Sequence, residues 1–278
     1  MARRRLPVGR LTAATAAIVG IILLTRTGAT PRFRTLRPGV DFAILRGEPY
    51  CRRGSSDIAV LRLDPSKVRL RVSHYTGQPD HLPLDILEWQ RRSEALAVFN
   101  AGQYYPDYSY MGLLVSGDSL ISPRPHAGFK GMLVAGPKTG GLGARVLDLD
   151  ETPINPTALP WEEAAQSFML FDRHGQTRVR KSPQIANRTA VAEDRAGHVL
   201  VITTEGGYTL YEFAGLLRTS PLGLTHAMSM DGGDEAELCV RVGEFRYASW
   251  GHWQNDGRVP NPHYNTVPLP AVVTVSLR

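Results

Sequence analysis

Along most of this chain, apolar and polar residues alternate in short runs, and few stretches repeat at helical spacing. Val68, Leu70 and Val72 alternate with Lys67, Arg69 and Arg71, which predicts a strand over 67–72 with one wet face. Comparable runs predict strands over 42–45, 57–63, 111–115, 131–135, 144–149 and 168–171. Residues 95–99 are apolar without a break and read as a buried strand that delivers Asn100 to a loop. Residues 189–192 and 199–203 fit a hairpin turning around 195–197. A strand over 225–230 leads into Asp231-Gly232-Gly233, and strands over 238–242, 245–248 and 271–277 close the sheet.

Helical spacing is confined to short segments. Leu84, Ile86, Leu87 and Trp89 suggest one helix, with Pro83 near its start and Arg91 and Arg92 near its end. Residues 161–166 read as a single helical turn. Thr209 and Glu212 have the spacing of a capping box, and Leu210, Phe213, Ala214 and Leu217 continue it as an apolar stripe. Many strands, few helices and no regular βαβ order predict an α+β fold: one domain built on mixed β-sheet with a few short helices. That domain spans 41–278, after an exposed linker over 30–40 that carries Pro31 and Pro38 among arginines.

Composition changes the picture mainly at the N-terminus. The chain has 278 residues and a net charge of +6, but Arg3, Arg4, Arg5, Arg10 and Arg26 all precede residue 30. The remainder carries about +1 and has no electrostatic reason to bind nucleic acid. Residues 11–25 carry no charge, and Thr27 and Ala29 are small residues at cleavage-site spacing. The run is shorter than the roughly 20 residues of a comfortable membrane span. Residues 1–29 are therefore expected to be a cleaved signal peptide or an uncleaved signal anchor. The expected location is exported, periplasmic or secreted, with membrane contact only through 11–25. The two cysteines, Cys51 and Cys239, could pair in an oxidising compartment or remain two buried thiols.

Candidate chemistry gathers at strand ends. Asp231-Gly232-Gly233 follows an apolar run, so its carboxylate sits at a strand end beside backbone that a ligand can approach. The same dipeptide also suits a tight hairpin, and its N–H groups could form an anion nest. Asn100-Ala101-Gly102-Gln103-Tyr104 offers an amide that donates and accepts, together with a ring that can stack on a sugar. Asn187-Arg188-Thr189 begins a strand with a guanidinium suited to phosphate. Glu205-Gly206-Gly207 is a second acid–glycine corner. Trp250, His252 and Trp253 could line a sugar site or pack as an aromatic cluster. No nucleophile elbow, Walker loop or zinc-protease motif is present.

These corners, in order, resemble the phosphodiester glycosidase family. The resemblance runs from 59–64 through 98–102, 166–170 and 187–191 to Thr204-Glu205-Gly206 and 227–233, across about 180 residues. It implies hydrolysis of a sugar-1-phosphodiester in an envelope or extracellular glycan, with a phosphorylated carbohydrate as partner and no cofactor. Asp231, Glu205 and Arg188 are then the catalytic candidates, and Asn100, Gly102, Tyr104, Thr189, Gly232 and Gly233 the substrate-binding ones. Where the family usually continues with glycine and serines, this chain has Asp234-Glu235-Ala236. That difference keeps a non-catalytic binder of phosphorylated glycan as the competing class. It also raises a third reading, a divalent cation at Asp231, Asp234 and Glu235.

Overall fold

In the computed structural model, residues 30–253 and 266–278 are described. The expected signal or anchor over 1–29 lies outside the described residues. The strands are β1 Arg34–Arg37, β2 Val40–Arg46, β3 Asp57–Leu63, β4 Val68–His74, β5 Ala97–Asn100, β6 Leu114–Ser116 and β7 Ser119–Ser122. They continue as β8 Gly131–Pro137, β9 Ala144–Asp148, β10 Trp161–Ser167, β11 Met169–Phe171, β12 Ile185–Ala186 and β13 Arg188–Asp194. The last are β14 Val199–Thr204, β15 Tyr208–Thr209, β16 Leu224–Gly232, β17 Leu238–Val242, β18 Phe245–Ser249 and β19 Ala271–Leu277. Two α-helices are present among the described residues, α1 Ile86–Ser93 and α2 Leu210–Thr219.

Three sheets share one core. The first has seven strands in the order β1-β2-β3-β14-β13-β16-β11. The second has five, β7-β6-β10-β8-β9, and the third has five, β18-β17-β5-β19-β4. Val40, Leu61, Val201 and Met228 of the first sheet meet Leu114, Leu133 and Val146 of the second and Val72, Phe99, Val240 and Val273 of the third. Burying alternate faces of three sheets against one another removes that apolar surface from water, the main favourable term in folding.

Each helix covers the outer face of one sheet. Phe213, Ala214 and Leu217 of α2 pack on Ile58, Val60, Ala190 and Ile202 of the first sheet. Thr209 caps α2, its hydroxyl accepting from Glu212 N at 3.2 Å. The Glu212 carboxylate accepts the Thr209 hydroxyl and pairs with Arg52, so the box closes through side chains. Ile86 and Trp89 of α1 pack on Val98, Cys239 and Val272 of the third sheet, and the Trp89 indole donates to Leu269 O at 2.9 Å. Asp85 caps α1 by accepting from Glu88 N.

Several expectations are corrected. All pairings recorded between named strands are antiparallel rather than mixed, because hairpins and long loops replace βαβ crossovers. Part of the expected linker over 30–40 forms edge strand β1, paired with β2. Residues 161–166 form β10, not a helical turn. Ala164 and Ala165 are fully buried between β6 and β8, so sheet pairing overrides their helical propensity. Cys51 and Cys239 are separate thiols: Cys51 Sγ lies against Arg53 O and Ser55 O, and Cys239 Sγ against the Gln90 amide.

β10 also buries an acid. Glu163 Oε2 accepts from Val72 N at 3.0 Å and Gly117 N at 3.1 Å, tying the second sheet to the third. Burial nevertheless pushes this carboxyl up to about 7. A carboxyl whose folded pKa lies above its unfolded value of 4.5 favours folding fully below that value. The contribution fades as pH rises through about 7, a loss on the order of 3 kcal/mol. Glu163→Gln keeps an acceptor for both N–H groups and never ionises. Urea denaturation from pH 5 to pH 8 should show wild-type stability falling relative to the variant; parallel curves would contradict this account of Glu163.

Candidate active site

β13 and β16 lie side by side, antiparallel, with Arg188 opposite Gly232. The chain then leaves the first sheet at Gly232, makes a 3-10 turn over Gly233–Glu235 and enters β17 of the third sheet. The Asp-Gly-Gly corner is thus a passage between sheets rather than a hairpin. Gly233 has φ +78°, a conformation that a side chain would strain. A Cβ at Gly232 would lie 2.9 Å from Asn187 O and 3.2 Å from Arg188 Nη1, so glycine leaves room for the guanidinium.

Two buried asparagines hold the corner. Asn100 Nδ2 donates to Asp231 O at 3.0 Å and to Ala101 O, while its Oδ1 accepts from Glu237 N. Ala101 O accepts from Asp231 N at 3.0 Å. On the other side, Asn187 O accepts from Gly233 N at 3.0 Å. The Asn187 side chain donates to Thr204 O at 2.7 Å and accepts from His252 N and Trp253 N. Gly232 N donates to the Asp231 carboxylate at 2.9 Å. The N–H groups of Gly232 and Gly233 are therefore already engaged, and neither is a free anion donor.

A cavity of about 670 Å³ opens over this corner. Asp231, Gly232, Gly233, Glu235, Arg188 and Ser229 form one part of its lining, and Arg178, Val179, Arg180, Ser182 and Gln184 form another. Arg188 Nε donates to Tyr208 O at 3.1 Å and Nη2 to Gln184 O at 3.0 Å. These carbonyls fix the guanidinium and leave Nη1 without a hydrogen-bond partner among the described residues. Burial lowers Arg188 to about 10, with Asp231 opposing that shift, so the group stays cationic at neutral pH.

Asp231 is pushed up to about 7. Burial is the largest cause and the neighbouring Glu235 the second, opposed by the Gly232 N–H and by Arg188. Glu235 is also raised, mainly by burial, although it accepts from the Tyr104 hydroxyl at 3.2 Å. Tyr104 itself is held protonated by burial and by both acids. Asp231, pushed up to about 7 beside Glu235 and Arg188, can hold or release a proton near pH 7.

The sequence-predicted residues separate into three groups. Arg188, Asp231, Gly232 and Gly233 come together in the cavity lining. Asn100 and Gly102 lie behind it: Asn100 is 1% exposed, and Gly102 N donates to the Tyr110 hydroxyl. Tyr104 reaches the cavity only through Glu235, and Thr189 is wholly buried. Glu205 stands apart, engaged by the Tyr247 hydroxyl and with its own N–H on Asp57 O. Trp250, His252 and Trp253 do not line this cavity either; the last two serve Asn187 through their backbones. Sequence reasoning set Glu235 beside Asp231 only as a cation ligand and not as a second carboxyl of the site, and it missed the wall over 178–184. The first had a signal, an acid one short turn beyond Asp231; the second had none. Among the described residues no group of three or more His, Cys, Asp or Glu converges on a metal position.

Against known proteins, the profile of the phosphodiester glycosidase family matches residues 93–275. No curated protein matches by sequence. Among solved structures, a hypothetical protein from Synechocystis is 14% identical with a TM-score of 0.59. That match covers 90% of this chain and 64% of the other. The catalytic domain of zebrafish N-acetylglucosamine-1-phosphodiester alpha-N-acetylglucosaminidase, auto-inhibited by its pro-peptide, is 14% identical with a TM-score of 0.56. That match covers 90% of this chain and 89% of the zebrafish chain. At such identities the likeness establishes a shared fold.

Asn187→Ala should cost about 3 kcal/mol or more, because it strands Thr204 O and the N–H groups of His252 and Trp253 inside the protein. Urea denaturation measures the cost. A loss under about 1 kcal/mol, a typical exposed hydrogen bond, would mean that the asparagine does not bear this role.

Proposed function

The chain belongs to the phosphodiester glycosidase family, and from that premise we propose that it hydrolyses the bond between a sugar's anomeric carbon and a phosphodiester oxygen. The observation that carries the proposal is that Arg188 and Asp231 line one cavity, a cation and a carboxylate at the same opening. The proposed substrate is an envelope or extracellular glycan. Export is supported by the arginine-led, uncharged run at 11–25.

The reaction breaks the bond from C1 to the phosphate oxygen and joins a water oxygen to C1. The electron pair of the broken bond leaves with the phosphate, and the water proton passes to a base. A phosphate monoester is a good leaving group, so it needs its charge held more than it needs a proton. Arg188 Nη1 is the donor for that task, pre-aimed by Tyr208 O and Gln184 O. The positive, oxocarbenium-like sugar needs an anion close by, and ionised Asp231 supplies it. Glu235, next to Asp231 and bonded to Tyr104, is the second carboxyl of the pair and the group placed to exchange a proton with water.

Purified protein should release free sugar from a sugar-1-phosphodiester. Asp231→Asn should lower kcat by about 10³-fold while the circular dichroism spectrum stays native. Arg188→Ala should instead weaken inhibition by inorganic phosphate by tenfold or more. Saturable binding of a phosphoglycan without turnover would defeat the hydrolase reading in favour of a binder.

The pH profile gives a sharper test. Asp231 acts ionised and sits near 7, so kcat/KM should rise with pH through about 7 and then level off. Glu235→Gln removes a negative neighbour that raises Asp231, so the inflection should move to lower pH. An inflection that stays in place or moves upward would reject the coupling of these two acids.

A further inference from the structure

The 670 Å³ cavity does not end at its arginine wall. A second cavity of about 440 Å³ shares Ser182 with it and is lined by Lys181, Pro183, Thr209, Tyr211 and Glu212. The charges around this junction are not all equivalent. Arg178 faces three acids, Asp148, Asp150 and Asp172, so its charge is spent within the protein. Glu212, the acid of the second cavity, is neutralised by Arg52 and by the Thr209 hydroxyl. Arg180, which lines the first cavity, has neither a hydrogen bond nor an ion pair among the described residues. Lys181, next in sequence and lining the second cavity, has its ammonium 5.2 Å from the centre of the Tyr211 ring and no acid partner among the described residues.

Two uncompensated cations therefore flank the junction of the two cavities, Arg180 on the side that holds Arg188 and Asp231 and Lys181, with the Tyr211 ring, on the other. We infer that this second cavity is a subsite for an anionic group on the aglycone side of the substrate, so that the protein prefers glycans carrying a second negative charge beyond the scissile phosphodiester. Lys181, held over the Tyr211 ring inside the second cavity, and Arg180, on the adjoining side of the first, supply donors to the anion. Ser182, common to both cavities, marks where the aglycone crosses from one to the other. A phosphate and a uronic carboxylate share the chemistry such a site reads. The inference rests on the sugar-phosphodiester reading of the first cavity and extends it to the class of aglycone.

Non-hydrolysable phosphonate analogues of a sugar-1-phosphodiester test it by calorimetry at fixed ionic strength. Three aglycones are compared: a methyl group, a hexose bearing a 6-phosphate, and a hexuronic acid. At least one anionic analogue should bind tenfold or more tightly than the methyl analogue, the effect of one good charge-assisted contact. The analogue with the greater advantage identifies the anion. The double variant R180Q/K181Q, both changes on exposed side chains, should reduce that advantage to less than twofold while shifting the methyl analogue much less. Equal binding of all three analogues, no binding by any, or an equal loss for all three in the variant would overturn the subsite. If the preference holds but the hydrolysable counterparts are not turned over, the hydrolase reading fails and the subsite stands.

Discussion

The passage of the chain from the first sheet to the third at Asp231-Gly232-Gly233 is the constraint on which the site depends. Polypeptide that leaves a sheet inside a protein exposes N–H and C=O groups with no strand to pair with, and each must find a partner. Here the partners are two asparagines on different elements. Asn100 ends β5 of the third sheet and takes Asp231 O, while Asn187 precedes β13 of the first and takes Gly233 N through its own carbonyl. An asparagine side chain both donates and accepts, so one residue can satisfy groups of opposite kind from two segments. The corner is consequently anchored to both sheets at once, and the Asp231 carboxyl is fixed by the fold rather than by a mobile loop.

The same anchoring explains the electrostatics. Placing Asp231 and Glu235 together away from bulk water costs free energy in their charged forms, and both are raised accordingly. Arg188 offsets part of that cost, but it cannot swing in to form a tight ion pair. Its Nε and Nη2 are occupied by the Tyr208 and Gln184 carbonyls. A guanidinium held by neutral acceptors keeps its charge available to a ligand. Had the fold closed an Arg188–Asp231 salt bridge, an incoming phosphate would have to break it first.

Much of this arrangement was legible in the sequence, and the part that was not has a physical reason. Period-two alternation located most strands, because each has one face against the shared core and one toward water or a helix. It failed at β10, where Trp161 to Gln166 reads as a helical turn. That segment is a strand because its neighbours β6 and β8 need a central partner, information that resides elsewhere in the chain. Among site residues, Asp231 could be proposed because it ends an apolar run and Arg188 because it begins one. Glu205 looked equivalent to Asp231 by the same local rule, an acid and two glycines after a strand. The two are separated only by where β14 and β16 end in three dimensions, and one sequence does not state that. Asn100 and Asn187 were visible as motif residues, but nothing local distinguished a sugar-binding amide from one turned inward to the backbone.

That distinction bears on how the site can vary without loss of the fold. Asn100, Asn187, Gly232 and Gly233 are saturated by hydrogen bonds or crowded by backbone, so changing any of them leaves an unpaired buried group or a steric conflict. The wall from Arg180 to Gln184 is different. Its residues are mostly exposed, and Arg180 and Lys181 make no hydrogen bond or ion pair among the described residues that the fold requires. Substitutions there remove little from stability while altering what the cavity meets. A rigid corner, to which the proposed chemistry is assigned, and a loosely bound wall, to which the proposed choice of aglycone is assigned, are therefore separable in this architecture. The physical basis of that separation is the difference in hydrogen-bond saturation between the two halves of one cavity.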